Sequence, residues 1–235
     1  MAEPRRGVDA VIFDWGGTLT PWHSIDFHSE AEALAMAAID GHPEAHLALH
    51  AANQAVWSRA KDSQTSATIA DVFAHAGLTH DEARLTAYQE FWEPHTVTDP
   101  DVRPLFEALR ADGIRVGVLS NTIWPRSWHD GFFARDGVLE LIDGAVYTSE
   151  VPWTKPAPQT FRAAMEAVGV DDPTRCVFVG DRPFDDIWGA SQVGMRTVLV
   201  PHSDIPAEQL GHTEGEPDAV AHRLAEVEEI VRRWR

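Results

Sequence analysis

The sequence predicts a doubly wound α/β fold with a small helical domain inserted after the first strand. Two observations support this prediction: short apolar runs alternate with helical patterns along most of the chain, and one long segment near the N-terminus lacks strands. Short apolar runs bounded by turn residues are typical of buried parallel strands, because helices cover both faces of such a sheet.

Five apolar runs are predicted to be parallel strands, joined by right-handed βαβ connections. Four are clear and the last is weaker: Val8–Phe13, Ile114–Leu119, Cys176–Val179, Thr197–Val200 and Ala145–Tyr147. Helical patterns lie between them, over about residues 101–112 and from Phe161 to a stop at Gly169. We expect a surface helix over about residues 218–235, since the arginines at its end suit a helix C-terminus.

Residues 21–97 interrupt this alternation. Helical patterns cover roughly residues 28–40, 44–61, 66–76 and 81–92, and Ser66 or Thr65 is the expected N-cap of the third helix. We therefore predict an α/β core made of residues 1–20 and 98–235, with residues 21–97 as the inserted helical domain.

Composition narrows the range of functions. The 235-residue chain has 37 acidic and 19 basic residues and a net charge of −18, which argues against a nucleic-acid partner because phosphates would be repelled. No apolar run is long enough for a membrane span and no apolar leader is visible, so we expect a soluble, cytoplasmic protein. With one cysteine, Cys176, no intramolecular disulfide can form. The sequence does not indicate an oligomeric state.

Polar residues stand at the predicted carboxyl ends of three strands: Asp14, Ser120 and Asp181. Ligands of open parallel sheets bind outside that edge, so we expect these side chains to meet at one site. Each alone also fits an ordinary turn or helix N-terminus, but chance explains their joint occurrence less easily. Lys155, one of only two lysines among the 19 basic residues, is a candidate cation for the same site.

Four segments in chain order carry a resemblance to a known family. FDWGGTLT, VLSN, WTKPAPQTF and VGDRPFDDIWGA resemble the four motifs of the haloacid dehalogenase superfamily of hydrolases. The helical insert after the first motif resembles the C1 type of cap in that superfamily. The resemblance covers most of the chain and implies a Rossmann-like core beneath a helical cap.

The resemblance also implies a role for each matching residue. Asp14 would be the nucleophile that forms an aspartyl intermediate, Ser120 would hydrogen-bond the transferring group, and Lys155 would hold the nucleophile and the phosphoryl oxygens. The implied ligands of Mg²⁺ are Asp14, the backbone carbonyl of Gly16, Asp181, and Asp185 or Asp186. A carboxylate attacks an anionic phosphoryl group only when cations offset the repulsion, which a magnesium ion and a lysine would do.

Gly16 departs from the superfamily's pattern. Phosphatases that share these motifs usually have a second Asp two residues after the nucleophile, which protonates the leaving group and then activates water. A glycine cannot transfer a proton, and general acid–base catalysis contributes about 100- to 10,000-fold in rate. Either another group replaces the acid, such as His23, Asp185 or the substrate itself, or the reaction does not need one.

Four functions therefore remain open. A Mg²⁺-dependent phosphatase acting on a small phosphorylated metabolite would need a substitute acid such as His23. A phosphonatase-like enzyme has a small residue at this position and forms a Schiff base on a cap lysine, for which Lys61 is the candidate, although cations also favour helix ends. A metal-independent 2-haloacid dehalogenase conflicts with Asp181, Asp185 and Asp186. A catalytically impaired relative would only bind a phosphorylated ligand.

The candidates for substrate binding flank the first two motifs. They are Thr18, Trp22, His23, Asn121 and Trp124. Aromatic rings beside a phosphate site can stack on a sugar or a heterocycle, so we expect a sugar- or nucleotide-like phosphate as substrate.

Overall fold

The computed structural model describes residues 7–22, 24–39, 43–201 and 214–235. Within these ranges, six parallel strands form one sheet in the order β3-β2-β1-β4-β5-β6. The strands are β1 (Ala10–Phe13), β2 (Arg115–Ser120), β3 (Gly144–Tyr147), β4 (Cys176–Gly180), β5 (Arg196–Leu199) and β6 (Ala219–Val220).

Nine α-helices accompany the sheet in the same ranges. They are α1 (Phe27–Ala35), α2 (Ala45–Ser63), α3 (Ile69–His75), α4 (Thr86–Trp92), α5 (Val102–Ala111), α6 (Arg126–Arg135), α7 (Pro158–Ala167), α8 (Gly189–Val193) and α9 (Val227–Arg233). None of the helices described is long and apolar enough to cross a membrane.

Helices cover both faces of the sheet, as the doubly wound prediction requires. Val11 and Phe13 of β1 join an apolar cluster with α5, α6 and α9, whereas Ala10 and Ile12 join a second cluster with α7 and α8. Successive side chains of a strand point to opposite faces, so β1 contributes to both clusters and is fully buried. The predicted α/β fold class is confirmed.

The segment between β1 and α5 is helical, with α1 to α4 packed together. Many of its buried residues, among them Leu34, Leu49 and Tyr88, belong to the same apolar cluster as one face of the sheet. The division into a core of residues 1–20 and 98–235 and a cap of residues 21–97 stays a proposal. The predicted N-cap of α3 is wrong: Thr68 caps this helix in a capping box with Asp71.

The C-terminal stretch differs from its prediction as a surface helix over residues 218–235. It begins with the two-residue strand β6, and α9 buries Val227, Ile230 and Val231. The carboxylate of Asp218 accepts a hydrogen bond of 2.9 Å from the backbone N–H of Thr197 in β5, which helps to hold β6 at the sheet edge. A two-residue strand has no periodicity that a sequence pattern can reveal.

Candidate active site

The sheet brings the predicted polar residues to one edge. β1 lies between β2 and β4, and Asp14, Ser120 and Asp181 stand at or just beyond the carboxyl ends of these three strands. All three are buried, with at most 5% of their surface exposed. The sheet continues from β1 to β2 and β3 on one side and to β4, β5 and β6 on the other, so the strand order reverses at β1. In α/β sheets of this kind, ligands bind at the carboxyl ends of the strands beside such a reversal.

Three carboxylates form a compact group at this edge. Asp14, Asp181 and Asp186 each place one oxygen within 4.8 Å of the others, and all three are buried. Asp186 reaches the group from a wide π-helical turn, Pro183–Trp188, that follows β4. The backbone N–H of Arg182 donates a hydrogen bond of 2.9 Å to the Asp186 carboxylate and so orients it.

Two glycines allow the carboxylates to come this close to the backbone. A Cβ at Gly180 would lie 2.3 Å from the Asp186 carboxylate, and one at Gly17 would lie 2.2 Å from that of Asp181. Gly17 also has a φ of +92°, a conformation that side chains rarely adopt. Gly17 and Gly180 are therefore required for steric reasons, because a side chain at either position would collide with a carboxylate of the site.

Lys155 joins the nucleophile candidate to the carboxylate from the fourth motif. Its Nζ donates hydrogen bonds of 2.5 Å to Asp14 Oδ1 and 2.7 Å to Asp186 Oδ1, and its side chain is 3% exposed. Burial opposes the charge of Lys155, but the two carboxylates outweigh it and raise the pKa of Lys155 above its ordinary value. Lys155 is therefore a fixed cation inside the site.

The pKa values of Asp14 and Asp181 are both raised. Burial raises the pKa of Asp14 to about 6, although the charge of Lys155 opposes the rise. Burial and then the charge of Asp14 raise the pKa of Asp181 well above its ordinary value. Neither oxygen of Asp181 accepts a hydrogen bond from any described residue, and Arg182 Nε lies 3.6 Å from one of them.

These observations fit a divalent metal ion. Buried carboxylate oxygens that lack hydrogen-bond donors are costly, and Mg²⁺ prefers hard oxygen ligands. Asp181 has two such oxygens, and Asp14 and Asp186 add further buried carboxylate oxygens to the same group. Between the two acids predicted in the fourth motif, the structure brings Asp186 into the group and leaves Asp185 outside it. The backbone carbonyl of Gly16 stays a predicted ligand.

The side chain of Asn121, a predicted substrate contact, pairs with the backbone of the protein. Its side-chain amide accepts a hydrogen bond of 2.8 Å from the backbone N–H of Lys155 and donates one of 3.2 Å to the backbone carbonyl of Lys155. The amide is therefore engaged with the protein, and it holds the loop that carries Lys155. Thr18, another predicted substrate contact, is completely buried in the turn after Asp14.

The two tryptophans predicted to contact the substrate differ in how far they are buried. Trp124 is buried among other rings, with centroids 5.7 Å from Trp15, 5.0 Å from Trp92 and 5.8 Å from His129. A ring enclosed in this way offers no free face for stacking, which argues against the predicted role of Trp124. Trp22 is only half-buried. His23 lies outside the described residues.

Sequence reasoning missed Arg182. Its guanidinium lies 6.0 Å from the centroid of the Trp22 ring and 3.6 Å from the Asp181 carboxylate. It thus adds a cation to the site beside Trp22. Its position directly after Asp181 in the fourth motif was the available signal, but the resemblance assigns roles only to the acidic residues of that motif.

The helical segment docks on the loops that carry the site. Gln64 accepts a backbone hydrogen bond of 3.1 Å from Thr154, and Ser66 donates one of 3.1 Å to Pro152, just before Lys155. Lys61 is exposed in the last turn of α2. The backbone carbonyl of Ala60, the residue before Lys61, accepts a hydrogen bond of 3.4 Å from the Thr154 hydroxyl, so this end of α2 lies against the loop that carries Lys155.

Comparisons with known proteins identify the family and the fold. The family model described as haloacid dehalogenase-like hydrolase matches residues 8–194. The chain belongs to the haloacid dehalogenase-like hydrolase family. Its fold resembles that of L-2-haloacid dehalogenase from Xanthobacter autotrophicus, with a TM-score of 0.62 at 20% identity over 96% of this chain and 98% of the other.

Two curated proteins are similar in sequence. A glyceraldehyde 3-phosphate phosphatase from Methanopyrus kandleri is 29% identical over 64% of this chain and 63% of its own length. A phosphonoacetaldehyde hydrolase from Pseudomonas fluorescens is 29% identical over 82% of this chain and 72% of its own length. The match therefore spans less than two thirds of the first relative.

Proposed function

We propose that this protein is a Mg²⁺-dependent phosphatase that hydrolyses a small phosphorylated metabolite through an aspartyl phosphate on Asp14. The observation that carries the proposal is the pair of hydrogen bonds from Lys155 Nζ to Asp14 and Asp186, inside a group of buried carboxylates that suits a divalent cation. Similarity to the phosphatase from Methanopyrus kandleri supports the same reaction class.

The residues divide the chemistry among them. An oxygen of Asp14 would attack phosphorus while the bond to the leaving group breaks, and water would then cleave the aspartyl phosphate and restore the carboxylate. Lys155 would keep Asp14 ionised and oriented, and Ser120, at the end of β2, would hydrogen-bond the transferring group. Magnesium held by Asp14, Asp181 and Asp186 would offset the negative charge of the phosphoryl group.

The helical segment, residues 21–97, would act as the cap. Its backbone hydrogen bonds to the loop before Lys155 hold it against the site. A cap in this position excludes bulk water from the reaction and encloses the part of the substrate beyond the phosphoryl group. Trp22 and Arg182 are the candidates for contacts with that part, because they lie together beside Asp181.

Substitution of the nucleophile tests the proposal. With a chromogenic phosphate ester and Mg²⁺, we expect Asp14→Asn to reduce turnover by about 1,000-fold or more, because the amide cannot form the covalent intermediate. Asp9→Asn is the matched control, since Asp9 precedes the other end of β1 and pairs with Arg175. Full activity of Asp14→Asn would show that the nucleophile is assigned wrongly.

A phosphonatase-like function is the second candidate. It is favoured by the glycine at position 16, by the contact between the end of α2 that carries Lys61 and the loop before Lys155, and by the similarity to the phosphonoacetaldehyde hydrolase from Pseudomonas fluorescens. In this reaction the amine of Lys61 would condense with a substrate carbonyl and release water. The C–P bond would then break with its electron pair entering the imine, and the phosphoryl group would pass to Asp14.

One screen separates the candidates. Phosphate esters, 2-oxoalkyl phosphonates and 2-haloacids are each incubated with and without Mg²⁺. Turnover of a phosphonate, inhibited by borohydride in the native chain and absent in Lys61→Arg, would favour the second candidate. Turnover of 2-haloacids without metal would favour a dehalogenase. Metal-dependent binding of phosphorylated ligands with no turnover at any pH would favour a binding protein.

A further inference from the structure

The loop after Asp14 is closed everywhere except at Gly16. Every residue from Ala10 to Thr20 is buried apart from Gly16. A Cβ built on Gly16 would meet no heavy atom within 4 Å, whereas one on Gly17 would collide with Asp181. Gly16 also lacks the positive φ of Gly17, so its backbone would accept a side chain. The space above Gly16, two residues from the nucleophile candidate, is therefore open.

Three titratable side chains near Asp14, those of Lys155, Asp181 and His129, have other roles in the site or in the core. Lys155 donates to both Asp14 and Asp186, and Asp181 completes the group that suits a metal ion. His129 packs against the ring of Trp15 at 4.5 Å but is fully buried, and its described hydrogen bond goes to Thr122. These contacts argue against Lys155, Asp181 and His129 as the proton donor to a leaving group that enters above Gly16.

We propose that the leaving group occupies the open space above Gly16 and departs without a proton from the protein. This inference rests on the proposed phosphatase function and adds a substrate class to it. The substrates would be phosphoryl compounds whose leaving group is stable as an anion, namely aryl, enol or acyl phosphates. Alkyl phosphates would release a strongly basic alkoxide and would be poor substrates. The inference therefore departs from the sequence-based expectation of a sugar phosphate whose phosphoryl group is carried by an alcohol oxygen.

Neither step of this reaction needs a proton from a protein side chain. The bond between an Asp14 oxygen and phosphorus forms as the bond from phosphorus to the leaving oxygen breaks. The electron pair stays on the leaving oxygen, which is released as an anion and takes its proton from solvent. Water then attacks phosphorus, the bond to Asp14 breaks, the carboxylate is restored, and the proton lost by the water goes to solvent or to the released phosphate.

The test compares esters that differ in the basicity of the leaving group. We measure kcat/KM with Mg²⁺ for 4-nitrophenyl, phenyl and alkyl phosphates, in the native chain and in Gly16→Asp and Gly16→Asn. The native chain should lose about 100- to 10,000-fold in kcat/KM from the 4-nitrophenyl to the alkyl ester, which is the range that general acid catalysis contributes. Gly16→Asp should recover a large part of that loss by raising turnover of the alkyl ester.

The matched variant isolates proton transfer from the filling of space. Gly16→Asn places a side chain of the same size in the opening but has no acidic proton, so the steep dependence should persist whatever its overall rate. His23→Gln should also keep the dependence of the native chain. A native chain that hydrolyses alkyl and 4-nitrophenyl esters about equally would overturn the inference, and so would a flat dependence that becomes steep in His23→Gln.

These outcomes are distinct from failure of the proposed function itself. If no ester is hydrolysed, or if Asp14→Asn retains full activity, the phosphatase proposal is wrong and the inference falls with it. If turnover depends on Asp14 but not on the leaving group, only the inference is wrong. Rapid mixing with 4-nitrophenyl phosphate gives a second readout. We expect a stoichiometric burst of 4-nitrophenolate followed by slower turnover, because without an acidic residue at position 16 the attack of water on the aspartyl phosphate would also lack a base.

Discussion

The side-chain amide of Asn121 is paired with the backbone of Lys155 through two hydrogen bonds, one accepted from the N–H and one donated to the carbonyl. Asn121 directly follows the strand β2, and Lys155 lies 34 positions after Asn121 in the chain. The pairing therefore ties the loop of the second motif to the loop of the third. It places Asn121 as a positioning residue that acts through Lys155.

We expect Asn121→Ala to lower kcat by about 10-fold or more with little change in KM. Two hydrogen bonds of this kind contribute about 1 kcal/mol each, and their loss lets the Lys155 ammonium move away from Asp14. Steady-state kinetics on a phosphate ester measure the effect. Asn53→Ala, in the helical segment, is the control for the same substitution elsewhere. An unchanged kcat, or a loss seen only in KM, would contradict the positioning role.

Lys155 itself should be far more sensitive than the other lysine of the chain. Lys155→Met removes the cation that contacts Asp14 and Asp186, so we expect the hydrolysis of phosphate esters to fall by about 100-fold or more. Lys61→Met removes an exposed lysine of α2 and should retain most of this activity. Equal losses in the two variants would instead point to a catalytic role for Lys61.

The carboxylate group makes a prediction about metal binding that does not depend on activity. We expect excess Mg²⁺ to raise the thermal unfolding temperature, since a ligand at 100 times its Kd stabilises a protein by about 2.7 kcal/mol. This increase should vanish in Asp181→Asn and Asp186→Asn and persist in Asp185→Asn, because Asp185 lies outside the group. Calorimetry in EDTA and in Mg²⁺ measures it; an increase lost in Asp185→Asn alone would reverse the assignment.

Asp181 should also destabilise the protein when no metal is bound. Its two oxygens are buried and accept no hydrogen bond from the residues that the structure describes. Asp181→Asn removes a buried charge of this kind, so we expect its unfolding temperature in EDTA to exceed that of the native chain. A lower unfolding temperature in EDTA would show that the carboxylate has a stabilising partner.

A buried carboxylate in the helical segment should make stability depend on pH. Glu30 is 3% exposed and accepts a hydrogen bond of 2.7 Å from the Tyr88 hydroxyl, and burial raises its pKa. Because the pKa is higher in the folded than in the unfolded state, the stability associated with protonated Glu30 is lost as the pH rises through the folded pKa. Each unit of pKa difference corresponds to about 1.4 kcal/mol.

Glu30→Gln should therefore gain stability relative to the native chain as the pH rises from the acidic to the neutral range. The glutamine oxygen can still accept from Tyr88 and has no charge to bury. Urea unfolding at several pH values measures the difference in free energy. Glu32→Gln is the control on the same helix, because Glu32 is exposed and pairs only with His28 in the described chain. A difference that does not change with pH would show that the pKa of Glu30 is the same in the folded and unfolded states.

The elements carrying the motifs were predictable because they repeat local patterns. β1, β2 and β4 are apolar runs that end at or just before a polar residue, and apart from the exposed Arg115 at the start of β2 their residues are buried. The helix α6 and the strand β6 were not predicted. The first has little amphipathic pattern, and the second is two residues long and depends on its neighbour β5.

The side chains within the site were only partly predictable. Asp185 and Asp186 are adjacent in a stretch that the sequence suggests is an α-helix, and either could face the strands. The structure has a π-helical turn there, and it directs Asp186 toward Lys155. Trp124 stands near the second motif in the sequence, but packing against Trp15 and Trp92 buries its ring.

The sequence by itself determined the parallel α/β architecture and placed Asp14, Ser120 and Asp181 at one edge, because strand ends follow from local apolar patterns and parallel strands bring their carboxyl ends together. Only the tertiary structure decided that Asp186 joins the carboxylate group, that Asn121 holds Lys155, and that the space above Gly16 is open. Side-chain direction in turns and loops depends on contacts with elements distant in the chain, and no local pattern encodes those contacts.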